Sequence, residues 1–221
     1  MGQTHTKFLL VEGKDDAYAV QGLMSHFVHW GSHESDWPVR IDAAGSDTEL
    51  LKPSYLRNTF RRAGLEAVGV MVDANGQFDS RWASLRNTCT AFFPDFPEGP
   101  PAEGLVIPRE DGLRLGVWIM PNNRSAGMLE TFLSYLVPPE GARLWQYAQD
   151  TCDAAREHGA PYKQAHLDKA RVHTYLAWQD PPGRPFGEAL KARCLSPGSP
   201  AAEGFVKWFL RLYGLPRKAT A

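Results

Sequence analysis

Four short segments rich in apolar and β-branched residues predict β-strands, at residues 7–12, 38–43, 67–74 and 115–120. The first, third and fourth are almost continuously apolar, which is typical of parallel strands that are covered on both faces. Between the strands, apolar residues recur at helical spacing, as they do along one stripe of residues 15–29. Strands and helices are therefore expected to alternate, and this order favours an α/β fold with a mainly parallel sheet flanked by helices.

Local signals set the expected ends of the other elements. Ser46 and Glu49 form a capping-box pattern for the second helix, and Pro53 is expected to break this helix and start it again. Gly64 is expected to end the helix at its C-terminus. Further helices are predicted at 79–90, 126–137, 141–158, 163–178, 186–193 and 201–213. Proline and glycine at high density predict loops at 93–104, 179–187 and 195–204. We therefore expect an α/β core at residues 1–138 and a helical C-terminal extension at 139–221 that packs on it.

Composition limits the class of protein. The chain has 221 residues, of which 43% are hydrophobic, and this is enough for one sizeable core without disulfides. Cys89, Cys152 and Cys194 show no CxxC spacing, so we expect buried or free thiols in a reducing cytosol and no zinc site. No run approaches the length of a membrane span and no signal peptide is evident. The sequence predicts a soluble, cytoplasmic protein without a membrane partner.

Charge is unevenly distributed along the chain, although the formal net charge is only −1. Residues 161–221 carry ten Lys and Arg against four Asp and Glu, a net charge of +6, whereas the remainder carries −7. An acidic N-terminal part and a basic C-terminal part are expected of a protein whose metal site works beside a polyanion. A helical tail with a solvated basic face would give the same distribution, and the charge alone leaves this alternative open.

Polar side chains follow three of the predicted strands at the point where each strand ends. Glu12 follows the first strand, Asp73 ends the third, and Asn122 and Asn123 follow the fourth. Open parallel sheets bind ligands at the carboxyl ends of their strands, and neighbouring strands lie about 4.8 Å apart. Carboxylates at adjacent strand ends can therefore share a hard cation, and Mg²⁺ usually takes one or two carboxylates together with water and phosphate oxygens.

Two more acids are candidates for the same edge of the sheet. Asp16 lies four residues after Glu12, in the first turn of the next helix, and Glu130 lies just off the apolar stripe of the segment GMLETFL. Each has an ordinary alternative. Asp16 could simply interact favourably with the helix dipole, and Asp15 could cap the helix. Glu130 could be an ordinary surface acid.

Several other chemistries lack their sequence motif. The chain contains no GxxxxGK[ST] phosphate loop, no GxGxxG dinucleotide fingerprint and no GxSxG nucleophile elbow. His166 and His173 are seven residues apart, which is too far for both to bind one ion in the manner of HExxH sites. We interpret these two histidines as packing residues or phosphate contacts at most.

The segment VEGKDD, with Glu12 after an apolar strand, is followed at residues 72–75 by VDAN at another strand end. This combination resembles the Toprim domain, which occurs in topoisomerases, primases and OLD-family nucleases. The longer pattern VEGKDD … VDAN … RW … GVWIMPNN … TYLAWQDPPG … FVKWFLRLYG is similar to that of short stand-alone Toprim-like prokaryotic proteins, and it covers nearly the whole chain. The resemblance implies a Toprim-like (Rossmann-like) α/β core.

The resemblance also implies roles for individual residues. Glu12 and Asp73 match the glutamate and the first aspartate that handle Mg²⁺ or Mn²⁺ in Toprim enzymes. Asn75 stands at the second aspartate position, where an amide oxygen can ligate but carries no charge. Asp16 matches a second acid of OLD-type nucleases. Their late lysine is best matched by Lys169, with Lys163 as the alternative.

The expected function is metal-dependent phosphoryl transfer, most simply Mg²⁺-dependent hydrolysis of DNA or RNA. The expected metal ligands are Glu12, Asp16, Asp73, Asn75 and Glu130. The expected catalytic residues are Glu12, Asp73 and Lys169, and the expected substrate contacts are Gly13, Lys14, Asn122, Asn123 and His166. Nucleic acid is the expected partner, and a homodimer is left open. Two alternatives are a non-catalytic nucleic-acid or nucleotide-binding regulatory module and a hydrolase of a small phosphorylated metabolite.

Overall fold

A five-stranded sheet organises the chain in the computed structural model, which describes residues 5–218. Its strands are β1 (Lys7–Val11), β2 (Arg40–Ala43), β3 (Ala67–Asp73), β4 (Leu105–Pro108) and β5 (Arg114–Met120). The order across the sheet is β2-β1-β3-β5-β4. The first four strands in this order pair in parallel, and β4 pairs antiparallel with β5 at the edge. The expected α/β class with a mainly parallel sheet is confirmed.

Helices flank the sheet and follow the predicted order. They are α1 (Lys14–Met24), α2 (Asp47–Leu50), α3 (Pro53–Phe60), α4 (Phe78–Cys89), α5 (Leu129–Ser134), α6 (Ala142–Glu157), α7 (Leu167–Ala177), α8 (Phe186–Lys191) and α9 (Pro200–Tyr213). Ser46 caps α2 by accepting a hydrogen bond from the Glu49 amide, and Pro53 begins α3, as the sequence predicted. Helices α1, α5 and α7 are shorter than predicted, and α7 begins four residues later than expected. The residues before α5 instead form an isolated bridge between Gly127 and Asn75.

Strand β4 was not predicted from the sequence. It contains four residues, follows a proline-rich loop and ends in Pro108, so neither its length nor its composition stands out. Its register, which begins with Leu105 opposite Val117, is supplied by β5. An edge strand of this kind depends on a neighbour that is distant in sequence, because a short strand is not stable alone.

Both faces of the central strands are covered, which explains their continuous apolar character. Leu9 and Val11 of β1 pack on one side with α1 and the C-terminal helices, whereas Leu10 packs on the other side with α3 and α4. The same alternation occurs in β5, where Trp118 and Ile119 face opposite cores. Packing on both faces of the sheet therefore holds the strands, and with them their carboxyl ends, in place.

Helix α9 lies directly on the sheet over two paired glycines. Gly69 of β3 and Gly116 of β5 are opposite each other, and a side chain at either position would collide with Leu212 or Tyr213 of α9. The Tyr213 hydroxyl donates a 2.8 Å hydrogen bond to the Phe8 carbonyl. The glycines thus allow the last helix to approach the backbone of the sheet.

The C-terminal helices share one hydrophobic core with the N-terminal strands. Helix α8 crosses α1 where Gly22 and Gly187 bring the two backbones together. The boundary at residue 138 stays a prediction, because the core continues across it. Within residues 5–218, none of the helices is long and apolar enough to cross a lipid bilayer.

Candidate functional site

Glu12 and Asp73 meet at the carboxyl edge of the sheet, because β1 and β3 are parallel neighbours. Glu12 Oε1 accepts a 2.9 Å hydrogen bond from the backbone amide of Asp73. Asp73 Oδ1 in turn accepts a 2.9 Å hydrogen bond from the amide of Leu129, at the start of α5. One oxygen of each carboxylate is therefore held by the backbone, while the second accepts no hydrogen bond from residues 5–218.

Asp16, Glu130 and Lys169 lie around this pair. Asp16 Oδ2 accepts a 2.9 Å hydrogen bond from the Gly13 amide, which holds the carboxylate at the start of α1. Glu130 is only 4% exposed, and its Oε1 lies 3.0 Å from Lys169 Nζ of α7. All these residues except Leu129 were named from the sequence, and the fold brings them into one open cavity of about 320 Å³.

Crowding and burial shift the protonation of the acids. Burial, countered in part by the Asp73 amide, raises the pKa of Glu12 to about 7. Burial also raises the pKa of Asp16 to about 6 and that of Asp73 to about 8, and the neighbouring carboxylates add to both shifts. For Lys169, burial lowers the pKa, but the charge of Glu130 and its hydrogen bond, together with the charges of Asp15 and Asp16, outweigh burial and the net shift is upward. Burial, with the repulsion among the acids added to it, is enough to hold protons on these carboxyls near neutral pH.

The donor set suits a hard cation, because the five carboxylates that line the cavity supply only oxygen ligands and none of its lining residues within 5–218 is a histidine or cysteine. Over residues 5–218, however, no three His, Cys, Asp or Glu side chains are already arranged as a metal-binding group. Each of Glu12, Asp16, Asp73 and Glu130 directs one oxygen to a protein donor. The free oxygens of Glu12 and Asp73 are the atoms that fit a shared cation.

The cavity also contains residues that the sequence did not suggest for the site. Gly45 and Ser46 line it from the loop after β2, together with Asp15 and the backbone of Leu129. The Gly45 amide donates a 2.9 Å hydrogen bond to the Glu12 carbonyl, which holds this loop against the end of β1. Strand β2 was predicted, and its carboxyl end reaches the same edge. The position of Gly45 and Ser46, directly after a predicted strand, was the signal that could have identified them as site residues.

An ion pair between Arg81 of α4 and Asp47 of α2 lies beside the site. The charge of Asp47 contributes to the raised pKa of Glu12, and that of Arg81 opposes it. Nothing in the spacing of these two residues relates them to Glu12. Only the packing of α2 and α4 against the sheet reveals the connection.

The three asparagines proposed from the sequence do not line the cavity. The backbone of Asn75 is bridged to Gly127, with φ at +50°. Asn122 Oδ1 accepts hydrogen bonds from the amide and the hydroxyl of Ser125, and Asn123 is only 4% exposed with its Oδ1 on the Ile119 amide. These contacts shape the loop between β5 and α5, and the suggested metal and substrate roles stay predictions.

Among the other proposed substrate contacts, Gly13 and Lys14 line the cavity. Lys14 is exposed and forms no ion pair with residues 5–218. His166 and Lys163 lie in and just before a short 3₁₀ turn that precedes α7, and both are exposed outside the residues that line the cavity. Lys169 is therefore the one of the two proposed lysines that the fold places against the acids.

The raised acid pKa values predict that the protein without metal becomes less stable as the pH rises. Folded Glu12, Asp16 and Asp73 keep protons that the unfolded chain releases above about pH 4, so the unfolded state binds fewer protons between about pH 4 and pH 8. The free energy of unfolding should fall by at least about 1 kcal/mol across that window. Urea denaturation with EDTA at pH 5.5, 6.5, 7.5 and 8.5 measures the slope.

The Asp73→Asn variant is the control for this pH dependence. It removes the carboxylate with the highest pKa, so its stability should fall less steeply than that of the wild type. Added Mg²⁺ should restore more stability to the wild type at pH 8 than at pH 5.5, because cations compete with protons for these oxygens. Parallel curves for the two proteins would contradict the assigned charge repulsion.

These features define an α/β protein with a cluster of carboxylates and one lysine at the carboxyl edge of its parallel strands. A protein-family model matches residues 6–214, and the chain belongs to that family, which is described as "Protein of unknown function (DUF3226)". Neither a curated protein nor a solved structure matches the chain.

Proposed function

We propose that this protein is a Toprim-like, metal-dependent phosphoryl-transfer enzyme, most simply a Mg²⁺- or Mn²⁺-dependent nuclease. The observation that carries the proposal is the convergence of Glu12, Asp16, Asp73 and Glu130 with Lys169 in one open cavity. Acids at the ends of adjacent parallel strands were expected from the resemblance to Toprim domains. The parallel order β2-β1-β3-β5 supports this reading of the fold.

Each residue has a task in the proposed reaction. Glu12 and Asp73 would hold the cation through their free oxygens, and Asp16 and Glu130 would complete its surroundings. When bound, Mg²⁺ or Mn²⁺ would supply Lewis-acid polarisation of a phosphoryl oxygen and lower the pKa of a bound water. The backbone amides of Asp73 and Leu129 keep the two principal carboxylates in place.

Lys169 is suited to stabilise the charge that develops on the phosphate. Its ammonium group is held 3.0 Å from the buried Glu130, yet the side chain is 49% exposed and can reach a ligand in the cavity. The raised pKa keeps it protonated under all physiological conditions. A fixed positive charge near the transferring phosphoryl group is among the strongest contributions a protein makes to such reactions.

Replacing Lys169 by glutamine should lower the rate of cleavage about 100-fold or more, the effect of removing one donor to a developing oxyanion. The matched variant is Lys163→Gln, which removes the alternative lysine from a position outside the cavity and should stay within about threefold of the wild type. Single-turnover cleavage rates at saturating Mn²⁺ measure both. If Lys163→Gln loses activity while Lys169→Gln keeps it, the lysine has been assigned wrongly.

One observation favours a second candidate, a binding module without catalysis. The acids are not arranged as a ready metal-binding group within residues 5–218, and Asn75 replaces a charged ligand of the Toprim pattern. A protein of this kind would bind nucleic acid or a nucleotide at the cavity without hydrolysing it.

The wild type alone separates the two candidates. Calorimetric titration with Mn²⁺ and Mg²⁺ tests whether the cavity binds a cation, and labelled single- and double-stranded DNA and RNA test cleavage. A small phosphate monoester in the same panel tests hydrolysis of a metabolite. Metal-dependent cleavage of a polynucleotide supports the nuclease. A protein that binds no metal and cleaves nothing would overturn it in favour of the binding module.

A further inference from the structure

A second groove adjoins the acid cavity and shares Lys14 with it. The groove has a volume of about 230 Å³ and lies between α1 and the edge strand β2. Its wall on the helix is formed by Lys14, Ala17, Tyr18 and Gln21, which follow the i, i+3, i+4, i+7 spacing of a single helix face. The two spaces therefore border each other at Lys14, the first residue of α1.

The groove presents an aromatic surface that the fold leaves open. Tyr18 is 56% exposed, and it lines the groove. Helix α8 packs against the backbone of α1 at this point, where a side chain at Gly187 would collide with the Tyr18 carbonyl. The contact fixes the helix that carries Tyr18 without covering the ring.

Polar side chains also line the groove. The Trp37 Nε1 donor is buried and has no hydrogen-bond partner among residues 5–218. Arg40 is held by Glu34 and Asp42, at 2.8 Å from each, so it shapes the groove while its charge is neutralised. Lys14, which forms no ion pair with residues 5–218, supplies a positive charge one helical turn, or about 6 Å, from Tyr18.

An open aromatic ring with a cation and polar side chains beside it is an arrangement that can bind an unpaired nucleobase and its phosphate. A base within a duplex cannot stack on a side chain, because both of its faces are covered by neighbouring bases. An unpaired base beside the phosphate in the acid cavity can do so. The groove is thus matched to a single strand rather than to a double helix.

We propose that Tyr18 and Lys14 form a binding platform for the nucleotide next to the reacting phosphate, with single-stranded nucleic acid as the substrate class. The inference deepens the proposed function and rests on it for the position of that phosphate. Tyr18 would stack on the base, and Lys14 would contact the phosphate between the two spaces.

The test measures binding separately from cleavage. Fluorescence anisotropy in EDTA gives the affinity of the full-length protein for labelled single-stranded DNA, single-stranded RNA and a DNA duplex. Tyr18→Ala should weaken single-strand binding about tenfold or more, whereas Tyr18→Phe, which keeps the ring, should retain it. Comparison of the two single strands identifies DNA or RNA as the source of the base.

Two further variants complete the design. Tyr135→Ala removes another exposed tyrosine, 44% exposed and outside both spaces, and should leave binding unchanged. Lys14→Gln should weaken binding to every single strand and reduce the slope of log affinity against log salt by about 1, as expected for the loss of one phosphate contact.

The outcomes separate the platform from the nuclease. Loss of single-strand binding in Tyr18→Ala, with retention in Tyr18→Phe, supports the platform even if the wild type never cleaves. Cleavage by the wild type with unchanged binding in Tyr18→Ala overturns the platform and leaves the proposed function standing. A wild type that binds no single strand, or binds the duplex equally well through Tyr18, also overturns it.

Discussion

Replacing Asp73 by asparagine is expected to abolish metal-dependent cleavage and to weaken Mn²⁺ binding by more than about 100-fold. Loss of a supporting partner of a metal ligand already costs 10- to 100-fold, and Asp73 would be a ligand itself. The chain should remain folded, because the asparagine oxygen can still accept the 2.9 Å hydrogen bond that the Leu129 amide donates to Asp73 Oδ1. Removing one of four crowded charges should leave the stability at pH 8 unchanged or higher.

The measurements are calorimetric titration with Mn²⁺, cleavage of the polynucleotide that the wild type prefers, and thermal unfolding of each protein. Asn75→Asp is the matched variant, since it introduces a carboxylate two residues away in a left-handed conformation that aspartate tolerates. Tighter Mn²⁺ binding would give Asn75 the ligand role that the Toprim resemblance implies. Equal cleavage and equal metal affinity in the wild type and Asp73→Asn would mean that the site is elsewhere.

Replacing Leu212 by alanine is expected to lower the free energy of unfolding by about 2–5 kcal/mol, a large part of the stability of an ordinary domain. Leu212 is fully buried and lies against Gly69 and Gly116, which have no side chains of their own to fill the space that it leaves. Both the lost apolar contacts and the residual cavity contribute to the cost. Urea denaturation at pH 7 measures the change.

Lys207→Ala on the same helix is the control. The Lys207 side chain is 72% exposed, and its ion pair with Glu203 spans 3.6 Å, so its removal should change stability by less than about 0.5 kcal/mol. Similar stabilities of Leu212→Ala and Lys207→Ala would show that α9 is not docked on the paired glycines.

Much of the candidate site could be predicted because its residues occupy positions that sequence patterns define. Glu12 and Asp73 each end an apolar strand, and parallel strands place their carboxyl ends at one edge. Asp16 follows Glu12 by one helical turn, so local geometry brings it to the same edge. The choice of Lys169 over Lys163 came from a resemblance, and the fold places Lys169 against Glu130.

The asparagines show where such patterns stop being informative. Asn122 and Asn123 follow an apolar strand just as Glu12 does, yet their side chains hold the backbone of their own loop. A side chain after a strand can point to solvent, to a ligand or back to the chain. The hydrogen bonds that decide among these depend on the loop conformation, which the spacing of residues does not encode.

By itself, the sequence determined the parallel strands, the order of the helices and the acids at the strand ends, because hydrophobic periodicity and helix caps act over a few neighbouring residues. The tertiary structure alone decided the contacts between segments distant in sequence. Examples are the short edge strand β4, the approach of Arg81 and Asp47 to Glu12, and the open face of Tyr18 beside β2. These depend on how helices pack across a sheet, where the energy comes from burial shared by many residues rather than from any local pattern.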